Sequence, residues 1–257
     1  MEQIDHIAAF LKENDLGEKD LAGYLTDKGW GVDHPSTYRI DLESDFTELW
    51  KQASPYTMIS MERGYAVYQG IHHILKHDLP GDFVECGVWK GGTCILMALT
   101  LLQAGCRDRV LWLYDTFSGM TEPGPEDTIA SSGQAVSERW HKGWWAVSPE
   151  NVLKNLLTTS YPENNFKLIE GDVCETLKIQ KPESIALLRL DTDWYESTRV
   201  ELEILYPLLV QKGVLIIDDY GHFSGSRQAV DEYFSVDTRG PLMQRSDYTG
   251  RLAVKLN

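Results

Sequence analysis

Leu188-Arg189-Leu190-Asp191-Thr192-Asp193 is an apolar run that ends in acids, and 27 residues later Ile216-Ile217-Asp218-Asp219-Tyr220 ends another in the same way. Between them Ser197 to Leu209 carries helical periodicity, so the three pieces read as strand, helix and strand of a parallel sheet. In an open α/β sheet, ligands bind beyond the carboxyl ends of the strands, near the point where strand order reverses. Four carboxylates aimed at that place predict a metal site, and an oxygen-only donor set suits a hard cation such as Mg²⁺ better than zinc or copper.

The same alternation extends outward in both directions. Upstream, Asp82 to Cys86 reads as a buried strand, Thr93 to Gln103 as a helix and Val110 to Asp115 as a second strand. Pro149 to Ser160 is predicted helical with Ser148 as cap, and Phe166 to Ile169 forms a third strand. Ser184 to Leu190 and Gly213 to Asp218 are the fourth and fifth strands, and Gln228 to Phe234 is a further helix. Leu242 to Arg245 and Arg251 to Leu256 supply two terminal strand candidates. The expected fold class is α/β and Rossmann-like: a seven-stranded, mostly parallel sheet with helices on both faces. It resembles the class I methyltransferase arrangement, in which the last strand inserts antiparallel.

Two regions depart from this rhythm. Residues 1–56 hold short helical segments broken by Gly17, Gly29, Gly31 and Pro35, and are expected to form an N-terminal helical cap on a domain spanning 57–257. Residues 116–148 have no clear period but contain Trp140, Trp144 and Trp145. Long loops inside compact domains are functional or disordered, and disordered segments are poor in aromatics, so this stretch is predicted to be a substrate lid. An ordinary packed insertion is the competing reading.

Composition excludes several classes. The chain of 257 residues is 42% hydrophobic, ordinary for a globular protein, and its formal charge is −15, from 39 acids against 24 bases. Such a balance disfavours phosphate backbones and anionic membrane surfaces, so neither nucleic acid nor membrane is an expected partner. Cys86, Cys94, Cys106 and Cys174 show no C-x-x-C spacing and read as free thiols in a reducing cytoplasm. No apolar run approaches the ~20 residues of a membrane span.

Several further residues stand where ligand chemistry is expected. Glu85-Cys86-Gly87-Val88-Trp89-Lys90-Gly91-Gly92-Thr93 is a glycine-bearing turn between strand and helix, but it is not G-x-G-x-x-G. An acid at Glu85 suits a cation or an amino group, both of which S-adenosylmethionine offers. Asp115, 30 residues on, stands where nucleotide-binding α/β folds place an acid for the ribose hydroxyls. Asp172 has two readings, contact with an adenine amino group or a cap on the next helix. Asp191, Asp193, Asp218 and Asp219 repel one another unless neutralised. Arg189 is the one basic residue adjacent in sequence and strand alternation turns it away from Leu190, so metal is the simplest neutraliser.

With these blocks in order, the chain resembles the macrocin-type (TylF-like) O-methyltransferases, Mg²⁺-dependent enzymes that methylate sugar hydroxyls in antibiotic biosynthesis. The resemblance rests on Gly81 to Gly92, on Asp115-Thr116-Phe117-Ser118-Gly119, on Leu188 to Thr198, and on Ile216 to Tyr220. It implies S-adenosylmethionine bound by the turn from Glu85 through Gly87, Gly91 and Gly92 to Thr93, by Asp115 and Ser118, and by Thr57 and Met58. It also implies Mg²⁺ held by Asp191, Asp218 and Asp219, with Asp193 as general base. Met120 stands where the family often has proline.

The expected reaction is methyl transfer to a hydroxyl of a small-molecule acceptor in secondary metabolism, most simply a vicinal diol chelated by the metal. His141 and His222 are further candidates for the base. A catechol-type enzyme acting on an aromatic diol and a non-catalytic S-adenosylmethionine-binding module are the alternatives. A homodimer or higher homo-oligomer is compatible with the N-terminal segment.

Overall fold

The computed structural model describes residue 24, residues 43–235 and residues 240–256. The chain divides into two compact units, Met1–Glu43 and Ser44–Asn257. The cap expected over residues 1–56 therefore falls largely outside the described residues, and the elements of the fold belong to the second unit.

Helix α1 (Ser44–Ala53) buries Phe46, Leu49, Trp50 and Ala53, a single i, i+3, i+4, i+7 stripe. Helix α2 (Met61–Lys76) starts behind Ser60, whose hydroxyl accepts from the amide of Arg63, with Glu62 in the positive first turn. Strand β1 (Asp82–Cys86) leads into α3 (Gly92–Gln103), apolar on nearly every side and buried as such. Next along the chain are β2 (Leu111–Asp115), α4 (Pro149–Leu156), β3 (Phe166–Glu170) and α5 (Val173–Ile179). The second half comprises β4 (Ile185–Leu190), α6 (Tyr195–Leu205), β5 (Leu209–Ile217), α7 (Ser224–Ser235), β6 (Gln244–Arg245) and β7 (Arg251–Val254).

The sheet order is β3-β2-β1-β4-β5-β7-β6, parallel except that β7 runs antiparallel to both β5 and β6. This is the seven-stranded arrangement expected from the sequence. From β1 the chain steps outward through β2 to β3, then returns to place β4 on the other side of β1, so the crevice beyond β1 and β4 is the switch point. Register pairs Cys86 with Leu190 and Leu190 with Ile217. Gly87, Asp191 and Asp218, each one residue further on, thus emerge at the same level.

Alternation sorts the two faces. Val84, Cys86, Leu188, Leu190, Leu215 and Ile217 pack with Leu177, Val200, Leu202, Leu205 and Val230 of α5, α6 and α7 in one cluster. Glu85 and Arg189, paired in register, lie on the opposite face, which α2 helps to cover. Strand β5 begins at Leu209, four residues before the expected start, because Ile185 pairs with Leu209 but Leu187 pairs with Val214. The residues between form a bulge with Lys212 at φ 66°; polar Gln211 and Lys212 disguised it as loop. Among the described residues no helix is long and apolar enough to cross a membrane.

Candidate active site

Two clefts adjoin at the switch point, each enclosing about 720 Å³ and open to solvent. Gly87, Asp115, Thr116, Gly119, Asp172 and Thr192 line the first. Thr57, Arg63, Glu85, Asp218, Asp219 and His222 line the second. Met58, Trp89, Trp145, Asp191 and Asp193 are common to both, so the acids stand at the junction.

The turn after β1 shapes the first cleft. Gly87 has φ 84°, and a Cβ there would collide with the carbonyl oxygen of Asp191, so only glycine lets the end of β1 cross so close to β4. Asp115 accepts from the amides of Val88 (2.7 Å), Trp89 (3.0 Å) and Phe117 (2.8 Å). Its carboxylate ties the end of β2 to the turn after β1 and still faces the cleft. Asp172 caps α5, accepting from the Cys174 amide at 2.9 Å as its capping reading expects, and also lines the cleft.

The remaining expected donor contacts are distributed differently. Gly91 caps α3 and lies against Val152 and Leu156, while Gly92 packs on the backbone of Tyr56, which seats Thr57 and Met58 beside the turn. Thr93 opens into the second cleft, and exposed Ser118 lines neither cleft.

The acids divide into two groups. Arg189 is fully buried and donates to Glu85, to Asp191 (2.7 Å) and to Asp218. Arg63, from α2, donates to the other oxygen of Asp218 and lies 3.1 Å from Asp247, which caps the turn before β7 through the amides of Thr249 and Gly250. The expectation that metal alone must neutralise the acids is thereby corrected: two arginines balance part of the set. An arginine flanked by leucines in a buried strand was the signal, since a buried charge requires partners.

Asp191, Asp193 and Asp219 form the second group, each offering a carboxylate oxygen with all three atoms within 4.8 Å of one another. Of the expected metal trio Asp191, Asp218 and Asp219, Asp218 also pairs with both arginines, and Asp193 lies beside the other two. Burial holds the Asp193 carboxyl up at about 8, with Asp191 and Asp218 adding repulsion against a hydrogen bond from Asp219 that lowers it. Burial also drives Asp191 and Asp219 well above the usual carboxylate range, opposed at Asp191 by Arg189. Among the described residues, Glu85, Asp191, Asp193, Asp218, Asp219 and Asp247 have only Arg63 and Arg189 as pairing cations. The excess is negative, oxygen-only and convergent, which fits a hard divalent cation.

Asp193 has φ 70°, a left-handed conformation that aspartate tolerates better than most residues. His222 lines the second cleft, with Nδ1 3.2 Å from the Tyr248 hydroxyl, and burial, with Arg63 nearby, lowers its pKa. His141 is exposed and lines neither cleft.

Much of the segment 116–148 is pinned down. Asp127 is buried and accepts from the first amide of α6, Tyr195 (2.8 Å), and from Gly124 (2.7 Å). Trp194 Nε1 donates to the Thr121 carbonyl, Ile129 bridges to Phe223, and Val136 packs with Trp194 and Phe223. What reaches the clefts is Thr116, Gly119, Met120 and Thr121 at one end and Trp145, stacked on Trp144 at 4.3 Å, at the other.

Known proteins share this arrangement. The profile of the family described as macrocin-O-methyltransferase (TylF) matches residues 39–251. The demethyldecarbamoylnovobiocin O-methyltransferase of Streptomyces niveus is 34% identical over 198 residues, 77% of this chain and 74% of that protein. The 8-demethyl-8-(2,3-dimethoxy-alpha-L-rhamnosyl)-tetracenomycin-C 4'-O-methyltransferase of Streptomyces olivaceus is 34% identical over 69% of this chain and 67% of that one. The solved structure of the O-methyltransferase NovP superposes with a TM-score of 0.71 at 32% identity, covering 79% of this chain and 83% of that chain.

Proposed function

Since the chain belongs to the macrocin-O-methyltransferase (TylF) family and is an S-adenosylmethionine-dependent O-methyltransferase, we propose that it methylates a glycosyl hydroxyl with a free neighbouring hydroxyl, in a Mg²⁺-dependent reaction. The observation that carries this is the surplus of carboxylates at the junction of the two clefts. One relative is named for transfer to a rhamnosyl 4'-oxygen and another for a 3''-oxygen, which favours a sugar over an aromatic acceptor.

Asp115 and Asp172 line the first cleft and would bind the nucleoside hydroxyls and amine of S-adenosylmethionine, which would supply an electrophilic methyl group when bound there. Mg²⁺ supplies Lewis-acid stabilisation of negative charge developing on a hydroxyl oxygen. Asp191, Asp218 and Asp219 would hold it: each Asp218 oxygen uses one lone pair on a guanidinium and keeps another. That leaves Asp193, which lines both clefts and pairs with no arginine among the described residues, to take the proton from the acceptor hydroxyl at its carboxylate oxygen. Met58, Trp89 and Trp145 flank the junction and would shield it from water once substrate is bound.

Methyl release measured on a panel of sugar vicinal diols, monools and catechols, with Mg²⁺ and with chelator, tests this proposal. Turnover is expected on a sugar diol with Mg²⁺ only. Asp191→Asn should fall to background while retaining S-adenosylmethionine binding by calorimetry. Full turnover in chelator removes the metal, and preference for catechols moves the acceptor to the aromatic class.

A further inference from the structure

The Glu201 carboxyl belongs to neither group of acids. It projects from α6, is fully buried and lines neither cleft. Its Oε1 accepts from the Thr192 hydroxyl at 2.9 Å, while Oε2 has no hydrogen-bond partner. Its other polar neighbour is the Cys86 thiol, whose side chain belongs to the apolar cluster that α6 covers with Val200, Leu202 and Leu205. Burying a carboxyl among these side chains is unfavourable and α6 would pack better with an apolar residue, so the group needs a reason to be there.

Thr192 gives the reason, because it separates Asp191 from Asp193. The turn it occupies is left-handed at Asp193, yet it must bring the two flanking carboxylates to within reach of Asp219. From the β1 side, Asp191 is fixed by its amide donating to the Cys86 carbonyl at 2.8 Å and by the closeness of Gly87. From the α6 side the Thr192 carbonyl accepts from the amide of Trp194 at 2.8 Å, and its side chain is held by Glu201.

We propose that Glu201 is a positioning residue: through Thr192 it fixes the turn that presents Asp191 and Asp193 side by side. Burial pushes its carboxyl up to about 8, with Thr192 and Cys86 opposing, so at neutral pH it acts as an uncharged hydrogen-bonding group and adds no repulsion to the site. The catalytic part of this inference rests on the function proposed above; the structural part concerns the turn alone.

Three single variants test it: Glu201→Leu, which keeps volume but removes the acceptor; Glu201→Gln, which keeps an acceptor; and Thr192→Val, which removes the donor and leaves the buried acid. Glu201→Leu and Thr192→Val should each lower kcat about 10–100-fold, as loss of an outer supporting partner does, with the KM for S-adenosylmethionine unchanged in Glu201→Leu, whose side chain lines neither cleft. Both should speed hydrogen exchange of the amides of residues 191–194. Glu201→Gln should restore kcat and protection, and Glu201→Leu with Thr192→Val should cost no more than either alone. Wild-type kcat and exchange in Thr192→Val overturn the inference, as does failure of Glu201→Gln to rescue. If Glu201→Leu does not fold, Thr192→Val and Glu201→Gln decide it. A wild-type enzyme inactive on every diol sinks the functional reading instead, while the exchange measurement still decides the turn.

Discussion

Asp218 and Asp219 are neighbours in sequence at the end of one strand, yet they belong to different electrostatic regions. Asp218 lies between Arg63 and Arg189, and with Glu85 it forms an arginine-balanced cluster beneath the site. Asp219 turns to Asp191 and Asp193; among the described residues no arginine forms an ion pair with Asp193 or Asp219, and burial raises their carboxyls. Asp191 belongs to both, since one of its oxygens accepts from Arg189. The contrast separates scaffold from site: where charge is balanced by the protein, the acids hold strands and helix together, and where it is not, they await something else positive.

The sharpest break of that contrast is at Asp193. As the arginine-free acid at the junction, it should be dispensable for metal and essential for chemistry. Asp193→Asn is expected to lower kcat by about 10²–10⁴-fold, the usual contribution of a positioned base. Mg²⁺ affinity, measured by calorimetry on the same variant, should stay near wild type. Loss of Mg²⁺ binding in Asp193→Asn would make it a ligand and return Asp218 wholly to the scaffold.

Removing a scaffold charge should act on stability rather than on chemistry alone. Arg189→Met leaves Glu85 and Asp218 without a fully buried guanidinium, and breaking a buried ion pair in this way costs about 3–5 kcal/mol. A substantial fall in Tm is the expected reading by thermal denaturation, accompanied by reduced Mg²⁺ affinity because Asp191 and Asp218 lose their shared anchor. An unchanged Tm would mean that the arginine-balanced cluster is not a scaffold at all.

The fold was legible because its signals are local. Each parallel strand is a short apolar run, each connection is helical, and Ser148 and Asp172 announce helix starts by their capping chemistry. The bulge before Val214 was not, since its polar residues look like loop. At the site, sequence brought the four aspartates to one place but not to their roles. Arg63 lies 155 residues from Asp218, and no local pattern pairs them. Asp247 and Tyr248, in the turn before β7, were equally silent, because what brings them near the acids is the antiparallel insertion of β7 beside β5. The segment 116–148 concealed how much of itself is anchored, because one buried aspartate, Asp127, does the pinning through backbone amides.

Glu201 shows a third solution to the same problem: a buried acid balanced neither by arginine nor by a neighbouring donor cluster, but by a retained proton. Its carboxyl is raised from 4.5 to about 8, with burial the largest cause. The folded state therefore binds that proton more tightly than the unfolded chain. The stabilisation this gives is fully present below about 4.5 and is lost as pH rises through about 8. Glu201→Gln has no proton to lose, so its Tm relative to wild type should climb between pH 5 and pH 9. The expected change is a rise of several °C across that range, the direction being fixed by the raised carboxyl. Parallel melting curves across that range would show that Glu201 is already ionised in the fold, and the Thr192 hydroxyl would then be donating to a carboxylate.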